Sequence, residues 1–149
     1  MLVWDALRQI EHPKYWAVIF RRQEKELEQL TEYAKTYYPS YGGNQTGGGK
    51  HWVFPQGARI DFESMEHESD WEKYHGNNYT YMGFDELVTF TEKQYTSLFT
   101  WNRAVDKGLR AYTRWTSNPW PAERGDGIGW IMERFGIPFQ RKIPKPIHL

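Results

Sequence analysis

Two adjacent carboxylates, Asp85 and Glu86, end the apolar run Tyr79-Thr80-Tyr81-Met82-Gly83-Phe84 and are the first candidates for chemistry in this chain. An apolar strand ending in two acids has the form of a Walker B element. Such a strand holds both carboxylates rigidly at its tip, where the first can hold Mg²⁺ through water and the second can polarise an attacking water. Taken alone, such a pair more often opens a surface loop, because short motifs match by chance. A second polar cluster, Thr116-Ser117-Asn118 before Pro119, also follows a strand-like run. A hydroxyl or amide there can hydrogen-bond a γ-phosphate or the attacking water, although Asn-Pro serves more commonly as an ordinary turn. Arg21-Arg22 closes another apolar run and could meet phosphate or adenine, whereas exposed strand-end arginines are commonplace. Lys73, in Lys73-Tyr74-His75-Gly76, is a candidate cation for a neighbour's phosphate, against the simpler reading of a solvated loop.

Other patterns fail on chemistry. Gly47-Gly48-Gly49-Lys50 invites comparison with a phosphate loop, but the G-x-x-x-x-G-K spacing would need glycine at Asn44. His51 replaces the required Ser or Thr, and a strand rather than a helix follows, so no helix N-terminus faces the phosphates. The five histidines (His12, His51, His67, His75 and His148) lack an H-x-x-x-H spacing and do not read as a metal set. There is no cysteine, which excludes a disulfide framework, a thiolate zinc site and a cysteine nucleophile.

The elements that must position these groups can be placed in order. Leu2, Val3, Ala6, Leu7 and Ile10 make a helical stripe ended by His12-Pro13. Tyr15 to Phe20 is continuously apolar, as in a strand buried on both faces. Leu27, Leu30, Ala34 and Tyr37 repeat with a helical period, and Pro39 lies just beyond. Tyr41 to Lys50 reads as a glycine-rich loop. His51–Phe54 and Arg59–Glu63 read as strands around a turn at Pro55-Gln56-Gly57. Glu63 to Tyr74 reads as charged and exposed. Thr91 with Gln94 makes a capping box for a helix carrying Tyr95, Leu98 and Phe99. A strand is expected over 109–115, then a short helix with Trp130, Ile131 and Phe135 stopping at Gly136. Strands alternating with helices imply an α/β three-layer sandwich with a largely parallel sheet. In such sheets functional residues gather at the carboxyl ends of strands, where both polar clusters fall.

At 149 residues the chain has the size of one domain, with a core large enough to hide about 70% of its unfolded surface. Nineteen Lys+Arg balance nineteen Asp+Glu, which disfavours a wholly basic DNA-binding domain but leaves room for a local basic patch. No apolar run approaches the roughly 20 residues of a membrane span, and Met1 to His12 lacks a signal-peptide plan. The expectation is a soluble, intracellular protein. Eight Trp, ten Tyr and eight Phe make 17% of the chain. Aromatics can stack on bases and sugars, but most of these lie inside helix or strand patterns and read as core.

Taken in order, four elements resemble the ATPase domain of the large terminase subunit of tailed bacteriophages, the DNA-packaging motor. They are the strand end Ala17–Arg22, the hairpin His51–Phe62, the run Tyr81–Phe90 and the run Tyr112–Pro119; Trp130 to Phe135 is similar to a later segment of that family. The resemblance implies a partial P-loop NTPase (ASCE-type) domain over 1–136, with 137–149 as a proline-containing tail or the start of an interdomain linker. It implies that Asp85 is the Mg²⁺-associated Walker B aspartate and Glu86 the catalytic glutamate. Thr116, Ser117 and Asn118 become the coupling motif, and Arg21 and Arg22 lie near the nucleotide. Lys73, with His75, occupies the neighbourhood of the family's trans-acting arginine. ATP and Mg²⁺ are the implied cofactors. Double-stranded DNA, the portal and the small terminase subunit are the implied partners, in the cytoplasm of an infected bacterial host.

The family's P-loop precedes the helix that Leu2 to Ile10 resembles, and an RNase H-like nuclease domain follows its ATPase domain. The chain is therefore expected to be an internal fragment, inactive alone for lack of Walker A. Loss of the P-loop strand would bare an edge beside Tyr112 to Trp115, and a homo-oligomer formed through that edge is expected. Two other readings stand beside this one. The first is a non-catalytic assembly or nucleic-acid-binding module with a vestigial Walker B. The second is an aromatic-rich carbohydrate or nucleic-acid binder, which burial of Trp16, Trp52 and Trp115 would disfavour.

Overall fold

Ala17, Val18, Ile19 and Phe20 are all fully buried, as in a central strand covered on both faces. A computed structural model describes residues 1–118 and 127–137, and it places this run in β1 (Trp16–Arg21). The elements before and after it are α1 (Leu2–Asp5), continued by a tighter 3₁₀ turn over Ala6–Gln9, and α2 (Leu27–Tyr37). Then come β2 (Asn44–Thr46), β3 (His51–Val53), β4 (Arg59–Ser64) and β5 (Tyr81–Phe84). The last are α3 (Glu92–Phe99), β6 (Tyr112–Trp115) and α4 (Gly127–Phe135).

The described strands form one six-stranded sheet in the order β2-β3-β4-β1-β5-β6. β1 pairs in parallel with β4 and β5, and β5 pairs in parallel with β6. The β2-β3 and β3-β4 pairs are antiparallel, so the sheet is mixed rather than largely parallel. The reason is local: each of these two links is too short for a crossover helix, so the chain returns as a hairpin.

Alternation along the strands divides the core in two. Ala17, Ile19, Ile60, Phe62 and Tyr81 face α1 and α2, packing on Leu2, Val3, Ala6, Leu27, Leu30 and Ala34. Val18, Phe20, Met82 and Phe84 face the other way, onto Tyr95, Leu98 and Ile131 of α3 and α4. Helices therefore cover both faces, and the three layers are those expected. The capping box forms as the sequence implies: Gln94 N–H donates to the Thr91 hydroxyl and Thr91 N–H to the Gln94 side chain.

Several local expectations need correction. The loop over 41–50 contains β2, whose three residues are all exposed and so carry no hydrophobic signal. The stretch 63–74 is not simply exposed: Met65, Asp70 and Tyr74 are buried, and Glu68–Tyr74 is 3₁₀-helical. The strand expected over 109–115 spans only Tyr112–Trp115, and Phe99 of α3 is exposed. Among the aromatics, Trp52 is fully buried while Trp16 and Trp115 are half-buried in the second core cluster. The tail from 138 onward lies outside the described residues. No helix among the described residues is long and apolar enough to cross a membrane.

Candidate functional site

β1, β5 and β6 run in parallel side by side, so their carboxyl ends open at one rim. Pairing continues one residue past the strands. Asp85 N–H donates to Phe20 O at 2.9 Å, and Thr116 N–H donates to Phe84 O at 3.0 Å. Arg21, Asp85 and Thr116 thus end three neighbouring strands. Each also lies an even number of residues from a neighbour on its own strand that faces α1 and α2 (Arg21 from Ala17 and Ile19, Asp85 from Tyr81, Thr116 from Tyr112), which places all three on that face.

Their side chains form one connected group. Arg21 Nη2 lies 2.9 Å from Asp85 Oδ2 and 3.5 Å from Glu86 Oε1. Arg21 Nη1 donates to Glu26 O at 2.9 Å, which anchors the guanidinium on the start of α2. Thr116 binds the acidic turn at three points. Its hydroxyl donates to Asp85 Oδ1 and accepts the Glu86 N–H at 3.3 Å, and its carbonyl accepts the Leu87 N–H at 2.8 Å. Arg21 and Asp85 are 12% and 15% exposed, Glu86 38%, so the aspartate is held and the glutamate reaches solvent. Arg21 Nε is buried without a partner.

Glu86 has φ 56° and ψ 59°, and among the described residues it is the one non-glycine with positive φ. A left-handed glutamate is strained, and such strain persists where the surroundings over-determine it; here the three Thr116 bonds do so. The turn ends β5 abruptly and separates the two carboxylates, one towards Arg21 and Thr116 and one towards solvent.

The remaining candidates are placed elsewhere or play smaller parts. Ser117 and Asn118 follow the end of β6, but Ser117 makes only a marginal 3.5 Å contact with the Asn118 carbonyl, and Asn118 is exposed. Arg22, one residue further and therefore on the opposite face, donates to Met65 O at 2.8 Å and to Gln94 Oε1. Lys73 pairs with Asp70 at 2.9 Å in its own 3₁₀ turn, and His75 packs against Trp101 with ring centroids 4.5 Å apart. Lys50 of the glycine-rich segment pairs with Glu24, the arrangement of a surface ion pair and not of a phosphate loop. The strain at Glu86 had no sequence signal, whereas the shared face of Arg21, Asp85 and Thr116 is readable from strand parity once the strands are known to be neighbours.

The arrangement can hold one carboxylate fixed between a guanidinium and a hydroxyl while presenting a second to solvent. Among the described residues no three His, Cys, Asp or Glu side chains form a group able to hold a metal. A cation held there through water by one carboxylate and shared with phosphate oxygens needs no such cage.

No curated protein matches the chain. Residues 4–125 match the family described as terminase large subunit, T4likevirus-type, N-terminal, which spans most of the sequence and every residue of the Arg21–Asp85–Glu86–Thr116 group. The chain belongs to this family of terminase large subunit N-terminal domains.

Proposed function

We propose that this chain supplies the acidic and coupling half of the ATP site of a viral DNA-packaging motor. The observation that carries this reading is the Arg21–Asp85–Thr116 cluster at the ends of three adjacent parallel strands, with Glu86 beside it. In this reading Asp85 is the Walker B aspartate, oriented by Arg21 and Thr116 and associated with Mg²⁺ through water. Glu86, more exposed, accepts the proton of the attacking water. When bound, Mg²⁺ neutralises charge developing on the transferred phosphoryl group. Thr116 is the coupling residue, because it touches the acids directly and sits on β6; Ser117 and Asn118 extend the same motif. A change in what Asp85 holds would be felt through the Thr116 hydroxyl by β6 itself. Arg22 and Lys73 stay engaged with Gln94 and Asp70 in this reading. Double-stranded DNA, the portal and the small subunit are the partners of the motor as a whole.

The 149 residues contain no G-x-x-x-x-G-K-[ST] sequence, so the phosphate cradle and its lysine must come from outside them. A steady-state ATPase assay of the chain is expected to show no turnover. Adding a separately expressed P-loop segment of a packaging ATPase is expected to restore turnover, and Glu86→Gln to abolish it. Turnover by the chain alone, or restored turnover indifferent to Glu86→Gln, would overturn the assignment. A complex that forms but stays inert would leave the acids as remnants in a non-catalytic module and would equally refute it.

A further inference from the structure

Thr116 grips the acidic turn because β6 lies against β5 in one register, with Trp115 opposite Phe84. The hydrophobic pattern of β6 does little to select that register. Its residues are Tyr112, Thr113, Arg114 and Trp115, so each face carries one aromatic and one polar side chain. A slip by one residue would exchange the faces and still leave one aromatic and one polar residue on each. It would also carry Thr116 away from Asp85, to the opposite face of the sheet. So short a strand with so little preference needs its register fixed by other means.

Asn102 supplies such a device at the far end of the pair. Its side-chain Nδ2 donates to Tyr79 O and Thr80 O, both at 3.1 Å, and to Tyr112 O at 3.3 Å. Carbonyls gathered around one end of an amide can be met only by its NH₂, which fixes the orientation of the group. Tyr79 and Thr80 lead into β5 and Tyr112 opens β6, so one side chain ties the strands where they start. The other end of the amide meets the Thr113 hydroxyl at 3.5 Å.

Asn102 is itself held. Tyr79 N–H donates to Trp101 O at 3.0 Å and Arg103 N–H donates to Tyr79 O at 2.9 Å, so the backbone on both sides of Asn102 is paired. Trp101 N–H donates to Leu98 O at 2.9 Å, which anchors the segment on α3. On the sheet's other face the Tyr112 hydroxyl donates to Asp5 O at 3.1 Å and steadies the start of β6 against the end of α1. Register is a property of the whole strand, so fixing Tyr112 also fixes Thr116, about 13 Å further along.

We propose that Asn102 is a positioning residue: it sets the register of β6 on β5, and thereby the place of Thr116 against Asp85 and Glu86. A single polar side chain does the same in coiled coils, where it specifies an alignment that apolar contacts leave degenerate. The consequence for chemistry rests on the proposed role of the two acids, whereas the pin itself does not.

The test is amide hydrogen exchange in the full chain, followed residue by residue by NMR. Glu86 N–H reports on the Thr116 hydroxyl and Leu87 N–H on the Thr116 carbonyl. Asn102→Ala is expected to speed exchange at both by on the order of tenfold, and to leave the amides of Phe62 and Gln94 unchanged. Those controls bond to Lys50 O and the Thr91 hydroxyl, outside the β5–β6 pair. Asn102→Ser keeps a shorter donor; it should show the same pattern in weaker form, and it serves if the alanine variant fails to fold. Thr116→Val removes the partner of Glu86 N–H but keeps the carbonyl that holds Leu87 N–H. In that background Asn102→Ala should add nothing at Glu86 and still speed Leu87. Equal acceleration at the controls would overturn the proposal, because Asn102 would then support the fold in general. Unchanged exchange at Glu86 and Leu87 would also overturn it, as would additive effects of the two substitutions at Glu86. No nucleotide enters these measurements. Acids that prove catalytically inert therefore leave the outcome intact, and a failed pin leaves the ATPase test intact.

Discussion

Arg21 and Asp85 meet at 2.9 Å across the carboxyl ends of two adjacent parallel strands, and both are largely buried. The pair lies one step beyond the last register partners, Phe20 and Phe84, so sheet geometry alone brings the charges together. Thr116 joins from the third strand. Removing one charge from so sheltered a pair leaves the other without compensation. Arg21→Ala is expected to cost about 2–3 kcal/mol in urea denaturation. The double variant Arg21→Ala/Asp85→Ala should cost roughly 1 kcal/mol less than the two single changes combined. Strict additivity would show that the pair is not energetically coupled.

Glu86 offers a sharper test of whether its conformation serves function and not stability. Glycine tolerates φ 56°, so Glu86→Gly is expected to stabilise the fold by about 1 kcal/mol while removing the carboxylate. Glu86→Gln, which keeps the side chain's shape and the strain, should leave stability nearly unchanged. Both would be read from thermal denaturation. A destabilised glycine variant would mean that the glutamate side chain, and not Thr116, sustains the turn.

Glu63 on β4 makes the fold pH-dependent. Burial, with the Asp61 charge next in effect, pushes its carboxyl above the ordinary range. The folded state therefore keeps this proton where the unfolded chain has lost it, and stability falls as pH rises from about 4.3 through the raised value. Glu63→Gln is expected to raise the melting temperature at neutral pH and to lose that advantage below about pH 4. A gain independent of pH would assign the effect to packing.

Gln94 is fully buried and uses both ends of its amide. Its Nε2 donates to Met65 O at 3.1 Å and His67 O at 2.8 Å, and its Oε1 accepts from Thr91 N–H and Arg22. Gln94→Leu strands these partners without water and is expected to cost roughly 2–4 kcal/mol. Arg22→Ala, which leaves the Gln94 amide free to meet solvent, should cost less. Equal losses by chemical denaturation would show that Arg22 is the dominant member.

Much of this protein is legible in its sequence alone. Ala17 to Phe20 read as a central strand, since four successive apolar residues bounded by Pro13 and Arg21-Arg22 are too few for a buried helix and leave no face for water. The Thr91-Gln94 box fixes the start of α3 because its two bonds are local. The acids at the end of β5 were visible for the same reason: a strand followed by two charges must stop near the sheet rim. What depended on non-local pairing was not visible. β2 forms only because β3 offers it an edge, and its exposed Asn44, Gln45 and Thr46 announce nothing. Arg21 and Arg22 look interchangeable in sequence, yet alternation sends one to Asp85 and the other to Gln94. Thr116 outranks Ser117 and Asn118 only because β6 lies beside β5 in a particular register. Local patterns encode which residues are buried, whereas strand neighbours and their parity decide which buried and half-buried side chains meet, and those are set by long-range pairing.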